Sequence, residues 1–445
     1  MTQGSPLGHI VYFSIPLLIG NLFQQLYNMV DSVVVGQFVG ATALAAVGIG
    51  FPVTFLLSSI FLGFSMGATV MIAQYIGAED QSSVGRTIDT LYSALLLSIV
   101  PLTLLGLVIS KPMLALIHCP QDAFTEASIY TMVIFAGMIG SLGYNINTGI
   151  LQGLGDSKSP LVFLVIACVI NIVLDLLFVL AFDLGVLGVA LATILAQLTS
   201  WIIGIFYINR HYSYIHIRFF QLRIDPLLLH RLIRIGIPSA IQQCQFAVVI
   251  LLMQIVINDF GTDFAAGFSA ANKIDTFVFM PIGSFSTAVT TYVGQNIGAG
   301  RLDRVRQGVH STILLSIITS ICMSAFVIAF RTPLISLFNS QPAVIASGNA
   351  YLLRVLTPMP LFALLFVLNS VLRGAGCTMV PMISSIVSMW AARLPAAYLL
   401  AHWFGQNELY WSYPFGWILG LAITLPVYFR KKWLQAPAVS QNQPA

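Results

Sequence analysis

The chain has 445 residues, of which 58% are hydrophobic and only 8% charged, with a formal charge of +4. A soluble domain carries about 25% charged residues, so this chain cannot clothe a surface facing water. Apolar runs of 18 or more residues recur along it, each long enough to cross a bilayer, which makes it a polytopic membrane protein.

Twelve spans are expected, over approximately 10–35, 44–75, 88–110, 125–150, 160–182, 186–208, 231–258, 265–296, 309–330, 348–372, 381–402 and 412–430. No cleavable signal is apparent: Met1 to Gly8 lacks a basic start, and the first apolar stretch outruns a signal h-region. With the N-terminus inside, the inner segments collect most Lys and Arg, from Arg86 and Lys158 through Arg210 to Arg234 and on to Lys432, whereas the outer loops hold only Lys111 and Arg331. That asymmetry satisfies the positive-inside rule and puts both termini in the cytoplasm. Topology therefore accounts for the basic residues without a nucleic-acid partner.

On the first span, Asn21, Gln24, Asn28 and Asp31 step by three or four residues. They form one polar stripe, expected to point into the bundle. Gly77-Ala78-Glu79-Asp80 ends the second span in a glycine stop. Gly153-Leu154-Gly155-Asp156 joins the fourth and fifth; it follows a helix and lacks Walker spacing, so it reads as a tight turn, not a phosphate loop. Asp175 lies on the fifth span with Asn171 one turn earlier, and Thr193 and Gln197 repeat the i, i+4 spacing on the sixth. An ionisable side chain in mid-membrane costs about 2.5–3.5 kcal/mol on insertion scales and usually serves function. Two carboxylates with amide and hydroxyl oxygens suit a proton or a hard monovalent cation. Water-boundary capping for the acids, and helix–helix bonding for Thr193 and Gln197, are the plainer readings.

A second copy of this pattern follows. Ala73-Gln74-Tyr75-Ile76-Gly77-Ala78 reappears as Gly294-Gln295-Asn296-Ile297-Gly298-Ala299, Gln152-Gly153-Leu154-Gly155 as Arg373-Gly374-Ala375-Gly376, and Pro160 as Pro381, each shifted by 221 residues (295 − 74, 374 − 153, 381 − 160). Ile15-Pro16 matches Ile237-Pro238 with a shift one residue longer. Weak internal repeats of hydrophobic segments mark secondary transporters, and an even number of crossings per copy implies a pseudo-twofold axis along the membrane normal. The fold class is thus all-α, with twelve transmembrane helices in two six-helix bundles. Residues 1–208 form an N-lobe, 209–230 a cytoplasmic linker, 231–434 a C-lobe and 435–445 a disordered tail.

The second copy is not chemically equivalent. Its counterpart of Asp175 is Ala396 (396 − 175 = 221), and its polar residues are Gln242, Gln243, Gln245 and Gln254, then Asn272, Lys273 and Asp275, then Arg393. Lys273 and Asp275 at i, i+2 are poorly spaced for a pair on one helix; partners elsewhere, a structural or gating pair and a substrate site all stay open. Prolines within spans, Pro16, Pro52, Pro238, Pro281, Pro358 and Pro360, introduce kinks; those at Pro16 and Pro238 read equally as packing geometry or as hinges. The five cysteines have no metal or redox spacing and read as small hydrophobes. The seven histidines, His118 among them, form no metal-ligand motif, and no metal is expected.

Ile15-Pro16 through Asp31 into Gly36-Gln37 and Ala43-Leu44-Ala45-Ala46-Val47-Gly48, then Gln74-Tyr75-Ile76-Gly77-Ala78, resembles the opening of the multidrug and toxic compound extrusion (MATE) family. Gln152 to Asp156 and Arg393-Leu394-Pro395 resemble it too, and the likeness spans essentially the whole chain. The resemblance implies a bacterial inner-membrane antiporter that exports organic cations and drugs in exchange for H⁺ or Na⁺, with no other cofactor. It also implies a cation-coupling site at Asp31, Asn171, Asp175 and Thr193. Asn21, Gln24, Asn28, Gln197, Gln242, Gln245, Asn272, Lys273, Asp275 and Arg393 are candidates for the substrate cavity. Some members carry further ion-linked acids on the seventh and tenth spans; here the seventh shows Gln242 to Gln245 and the tenth no acid, which concentrates coupling in the N-lobe. A monomer is expected. The alternative within transport is a flippase for a lipid-linked precursor, disfavoured because only Lys273, Arg354 and Arg393 lie within spans. An enzyme is excluded by the want of a nucleophile, base or metal cluster.

Overall fold

In hydrocarbon every backbone N–H and C=O must be paired within its own segment, so long apolar runs become helices. A computed structural model describes residues 1–117, 119–218 and 222–435, apart from the side chains at 51, 52, 56, 57, 60 and 435. His118, the side chain of Pro52 and the tail from 436 onward lie outside the described residues. The spans are α1 (Pro6–Val34), α2 (Ala41–Gly77), α3 (Gln81–Leu116), α4 (Gln121–Ala136 with Met138–Leu154), α5 (Lys158–Leu176), α6 (Gly185–His211), α7 (Pro226–Asn258), α8 (Thr262–Gly298), α9 (Leu302–Ala329), α10 (Pro342–Leu356 with Met359–Gly374), α11 (Met379–Phe404) and α12 (Gln406–Phe429). Nine of these are single helices long and apolar enough to cross a membrane, α4 and α10 are bent pairs, and the 37-residue α2 completes the twelve expected.

The bends have different origins. In α10 the chain turns by 52° around Pro358, which cannot donate to the ladder. The 53° bend in α4 falls at Gly137, where a Cβ would lie 2.3 Å from the Ile194 side chain on α6. No proline marks that site. Conversely, Pro16 and Pro238 sit inside the unbroken helices α1 and α7.

Contacts divide the chain into two compact units, Pro16–Gln243 and Met1–Ile15 with Cys244–Ala445. The division falls within α1 at Pro16 and within α7 just beyond Pro238, so each of these helices contributes to both units. In the first unit α2 packs on α4, and α6 packs on α4 and α5. In the second, α8 packs on α9 and α10, and α12 packs on α10 and α11.

The sequence repeat reappears in the packing. Thr69 on α2 donates its hydroxyl to the Gly149 carbonyl on α4 at 2.8 Å, and Thr290 on α8 donates to the Ser370 carbonyl on α10 at 3.1 Å; both residues are shifted by 221 (290 − 69, 370 − 149). Beside each bond a glycine brings the helices together. A Cβ on Gly153 would stand 2.9 Å from the Thr69 carbonyl oxygen, and one on Gly374 would stand 2.5 Å from that of Thr290. Small residues that let backbones approach are the usual means of joining helices in lipid. Because backbone cannot swing aside, Gly374→Ala is expected to cost about 1–3 kcal/mol through overpacking, seen as a lowered unfolding temperature in detergent.

Candidate ion-coupling site

Within the first unit, α1, α5, α6 and the first piece of α4 bring four kinds of oxygen together. Asp31 follows one turn after Tyr27 on α1, and a π-helical stretch, Val35–Val39, begins one turn later. Asp175 ends α5 just before a second π-helical stretch, Leu177–Ala181. Such local widening of the helix recurs at functional sites. The carboxyl groups of Asp31 and Asp175 face one another as a pair. The Tyr27 hydroxyl meets that of Thr193 and faces both acids and Tyr130. Thr193 donates to the Val189 carbonyl at 3.0 Å, which leaves its lone pairs turned to Tyr27.

Asp175 and Asn171 are fully buried. Neither oxygen of Asp175, neither polar atom of the Asn171 amide, nor Asp31 Oδ1 has another group as hydrogen-bond partner. Among the described residues neither acid makes an ion pair; those seen are Arg86–Asp225 and Arg354–Glu408. Buried polar atoms are ordinarily satisfied, and two adjacent carboxylates repel unless something offsets their charge. Such a pair is a candidate to take up a proton or a cation.

Next to it lies a small cavity of about 30 Å³ lined by Gln24, Tyr27, Tyr144, Cys168, Gln197 and Ser200, with Leu164, Ala167 and Ala196. Tyr27 is common to the cavity and the acid pair. The expected stripe on α1 is divided: Gln24 is half-buried on the cavity wall, whereas Asn21 and Asn28 are exposed. Tyr27, Tyr130 and Tyr144 escaped the sequence reading. For Tyr27 the signal was present, one turn before Asp31; nothing in spacing singles out the other two.

The second unit treats its acid differently. Asp275 on α8 accepts a bond from the Tyr351 hydroxyl at 3.1 Å and is faced by Arg393. The Arg393 guanidinium lies 3.5 Å over the Tyr413 ring, at the end of a π-helical stretch, Val387–Arg393. Lys273 is exposed and stands 5.7 Å over the Phe338 ring; it and Asp275 are thus not paired with each other, since two residues apart on a helix they leave in different directions. Gln245 is buried and donates to Ser385 Oγ, Gln242 is buried in the first unit, and Asn272 is exposed. Gln254 is half-buried and bonds its own helix at Asn258. The candidate residues of this half therefore do not converge on one site, and the half-buried Asp275 has a hydroxyl partner on one oxygen and a facing cation, its Oδ1 alone lacking a bond.

Twelve apolar spans, an internal repeat carried into side-chain bonds and a buried acid pair lacking a counter-charge define a membrane transporter. The MatE family model matches residues 16–177 and again 238–399, once per copy. The chain belongs to the MATE family of multidrug efflux transporters. It is 28% identical over 417 residues, 92% of this chain and 91% of the relative, to the probable multidrug resistance protein YpnP of Bacillus subtilis. It is 26% identical to the probable multidrug resistance protein NorM of Thermotoga maritima, covering 89% of this chain and 86% of that one. A solved outward-facing structure of a multidrug resistance MATE family transporter shares its fold, with a TM-score of 0.89, 24% identity and 98% of each chain covered.

Proposed function

We propose that this protein is a secondary antiporter of the bacterial plasma membrane that expels organic cations in exchange for H⁺ or Na⁺, by alternating access of its two lobes, with both termini in the cytoplasm. The observation that carries the reading is the contrast between Asp275 and the Asp31–Asp175 pair. Asp275 accepts from Tyr351 through one oxygen and faces the Arg393 cation, with only its Oδ1 unpartnered, whereas neither oxygen of Asp175 has a partner and no cation among the described residues faces the Asp31–Asp175 pair. An ion or proton taken up there changes the charge of α1 and α5 together, and a ligand shifts a conformational equilibrium only by binding one state better. Asn171 and Thr193 supply further oxygens, which suit sodium as well as a proton. Gln24, Gln197 and two tyrosines around the small neighbouring cavity supply hydrogen bonds and aromatic faces of the kind that a planar cation uses once the two lobes open around it. The names of the relatives support a drug-sized cargo. Flipping of a phosphate-linked lipid is less well served, because Arg354 is paired with Glu408 and Arg393 lies on Tyr413.

The decisive experiment is efflux of a fluorescent organic cation from liposomes under an imposed ΔpH, and separately under an imposed ΔNa⁺. Either gradient alone is expected to drive export in the native protein, and Asp31→Asn is expected to remove it. No response to either gradient would sink antiport.

A further inference from the structure

The described residues between α6 and α7 are anchored by side-chain bonds to α6 and α3. Asn209 at the end of α6 holds Ile217 by both backbone groups: the Ile217 N–H donates to Oδ1 at 2.8 Å, and Nδ2 donates to the Ile217 carbonyl at 3.2 Å. Ile215 and Ile217 are buried, and the intervening His216 and following Arg218 are exposed. Alternate side chains of this stretch therefore leave in opposite directions. Further on, the Arg223 N–H donates to Ser93 Oγ on α3 at 2.8 Å, the same hydroxyl donates back to the Arg223 carbonyl at 3.2 Å, and the Asp225 N–H donates to Thr90 Oγ1 at 3.1 Å. Arg86 pairs with Asp225 at 3.5 Å. Gly85 admits the linker backbone, since a Cβ there would lie 3.3 Å from the Tyr214 carbonyl oxygen.

These anchors surround a pocket of about 200 Å³ lined by Gly85, Asp89, Tyr214, His216, Arg218 and Arg223. Two guanidinium groups and an imidazole face a single carboxylate, Asp89. The acid reduces the positive charge without cancelling it. Guanidinium forks match phosphate oxygens two at a time, and the Tyr214 hydroxyl adds a neutral donor. The pocket adjoins the start of α3 on the face that the positive-inside rule assigns to the cytoplasm, where anionic headgroups attract basic clusters.

We infer that the pocket between the α6–α7 linker and the start of α3 binds a phosphate group through Arg218, Arg223 and Tyr214. The phosphate belongs either to an anionic phospholipid headgroup or to a soluble phosphate.

The test uses the purified full-length chain in neutral detergent, titrated with short-chain phosphatidylglycerol, short-chain phosphatidylcholine or inorganic phosphate, reading the unfolding temperature and the midpoint of the response. Saturable stabilisation by phosphatidylglycerol alone assigns a lipid headgroup; stabilisation by inorganic phosphate as well assigns a soluble phosphate site. Removing one charged hydrogen-bond partner is expected to weaken the midpoint by roughly tenfold or more, in Arg218→Gln and in Arg223→Gln alike. Arg223→Lys keeps the charge and the backbone anchors and is expected to fold as the native chain and retain part of the response. Asp89→Asn is expected to tighten it. The inference is overturned by no response to phosphatidylglycerol and phosphate, by equal responses to phosphatidylcholine and phosphatidylglycerol, or by an unchanged midpoint in the doubly substituted R218Q/R223Q chain with native stability.

Discussion

Asp175→Asn is expected to lower gradient-driven efflux to the leak of protein-free liposomes while leaving the amount of folded protein in the membrane unchanged. The substitution preserves shape, so the fully buried position on α5 keeps its packing. It removes charge from a group whose two oxygens have no partner and whose neighbour is the Asp31 carboxyl. A gradient of one pH unit stores about 1.4 kcal/mol per proton, and the protein draws on it only if its two conformations bind the ion with different affinity. An amide at 175 neither takes up a proton nor offers a charged ligand to sodium. Passive exchange of the organic cation between vesicles of equal composition is expected to persist, since the cavity lined by Gln24 and Gln197 is untouched. Full driven efflux in the Asp175→Asn protein would remove the acid pair from the coupling mechanism.

Gly63→Val is expected to be the most damaging single change to folding. A Cβ at Gly63 would stand 2.3 Å from the Ala240 amide nitrogen and 2.5 Å from its Cα. Both α2 and the first half of α7 belong to the first unit, so the helices meet there backbone to backbone. Inserting bulk into such a contact costs about 1–3 kcal/mol and sometimes more, against a typical total stability of about 5–15 kcal/mol. One turn on, Gly67 leaves more room, since its Cβ would lie 3.2 Å from the Gly236 nitrogen. Thermal unfolding in detergent is therefore expected to rank the proteins native, Gly67→Ala, Gly63→Ala, Gly63→Val in order of falling stability. A Gly63→Val protein as stable as Gly67→Ala would show that α7 does not lie against α2 in this way.

Much of the candidate site was legible because a buried ionisable group is costly in lipid and therefore conspicuous in sequence. Asp31 and Asp175 stood out on that ground, Asn171 and Thr193 by one-turn spacing and the family resemblance, and the structure brings Asp31, Asp175 and Thr193 around Tyr27, with Asn171 one turn from Asp175. Tyr130 was not legible, since its approach to the acids depends on where the first piece of α4 crosses them. Nor was the compensation of Asp275, because Tyr351 and Arg393 come from α10 and α11. The stripe from Asn21 to Asp31 shows the limit of periodicity: it places side chains on one face of a helix but not the depth at which neighbours cover that face, and Asn21 and Asn28 remain exposed.

By itself the sequence determined residence in the bilayer, twelve crossings and a chain built from two copies, since hydropathy sums over a local window and a repeat is visible wherever both copies keep it. Tertiary structure decided which crossings bend, as at Gly137 against Ile194. It also decided that α1 and α7 each contribute to both compact units. It left the Asp31–Asp175 pair without a counter-charge while Asp275 acquired one. Those outcomes depend on contacts between segments tens to hundreds of residues apart, set by where a glycine lets two backbones close and which side chain then fills the gap, and no local window holds that information.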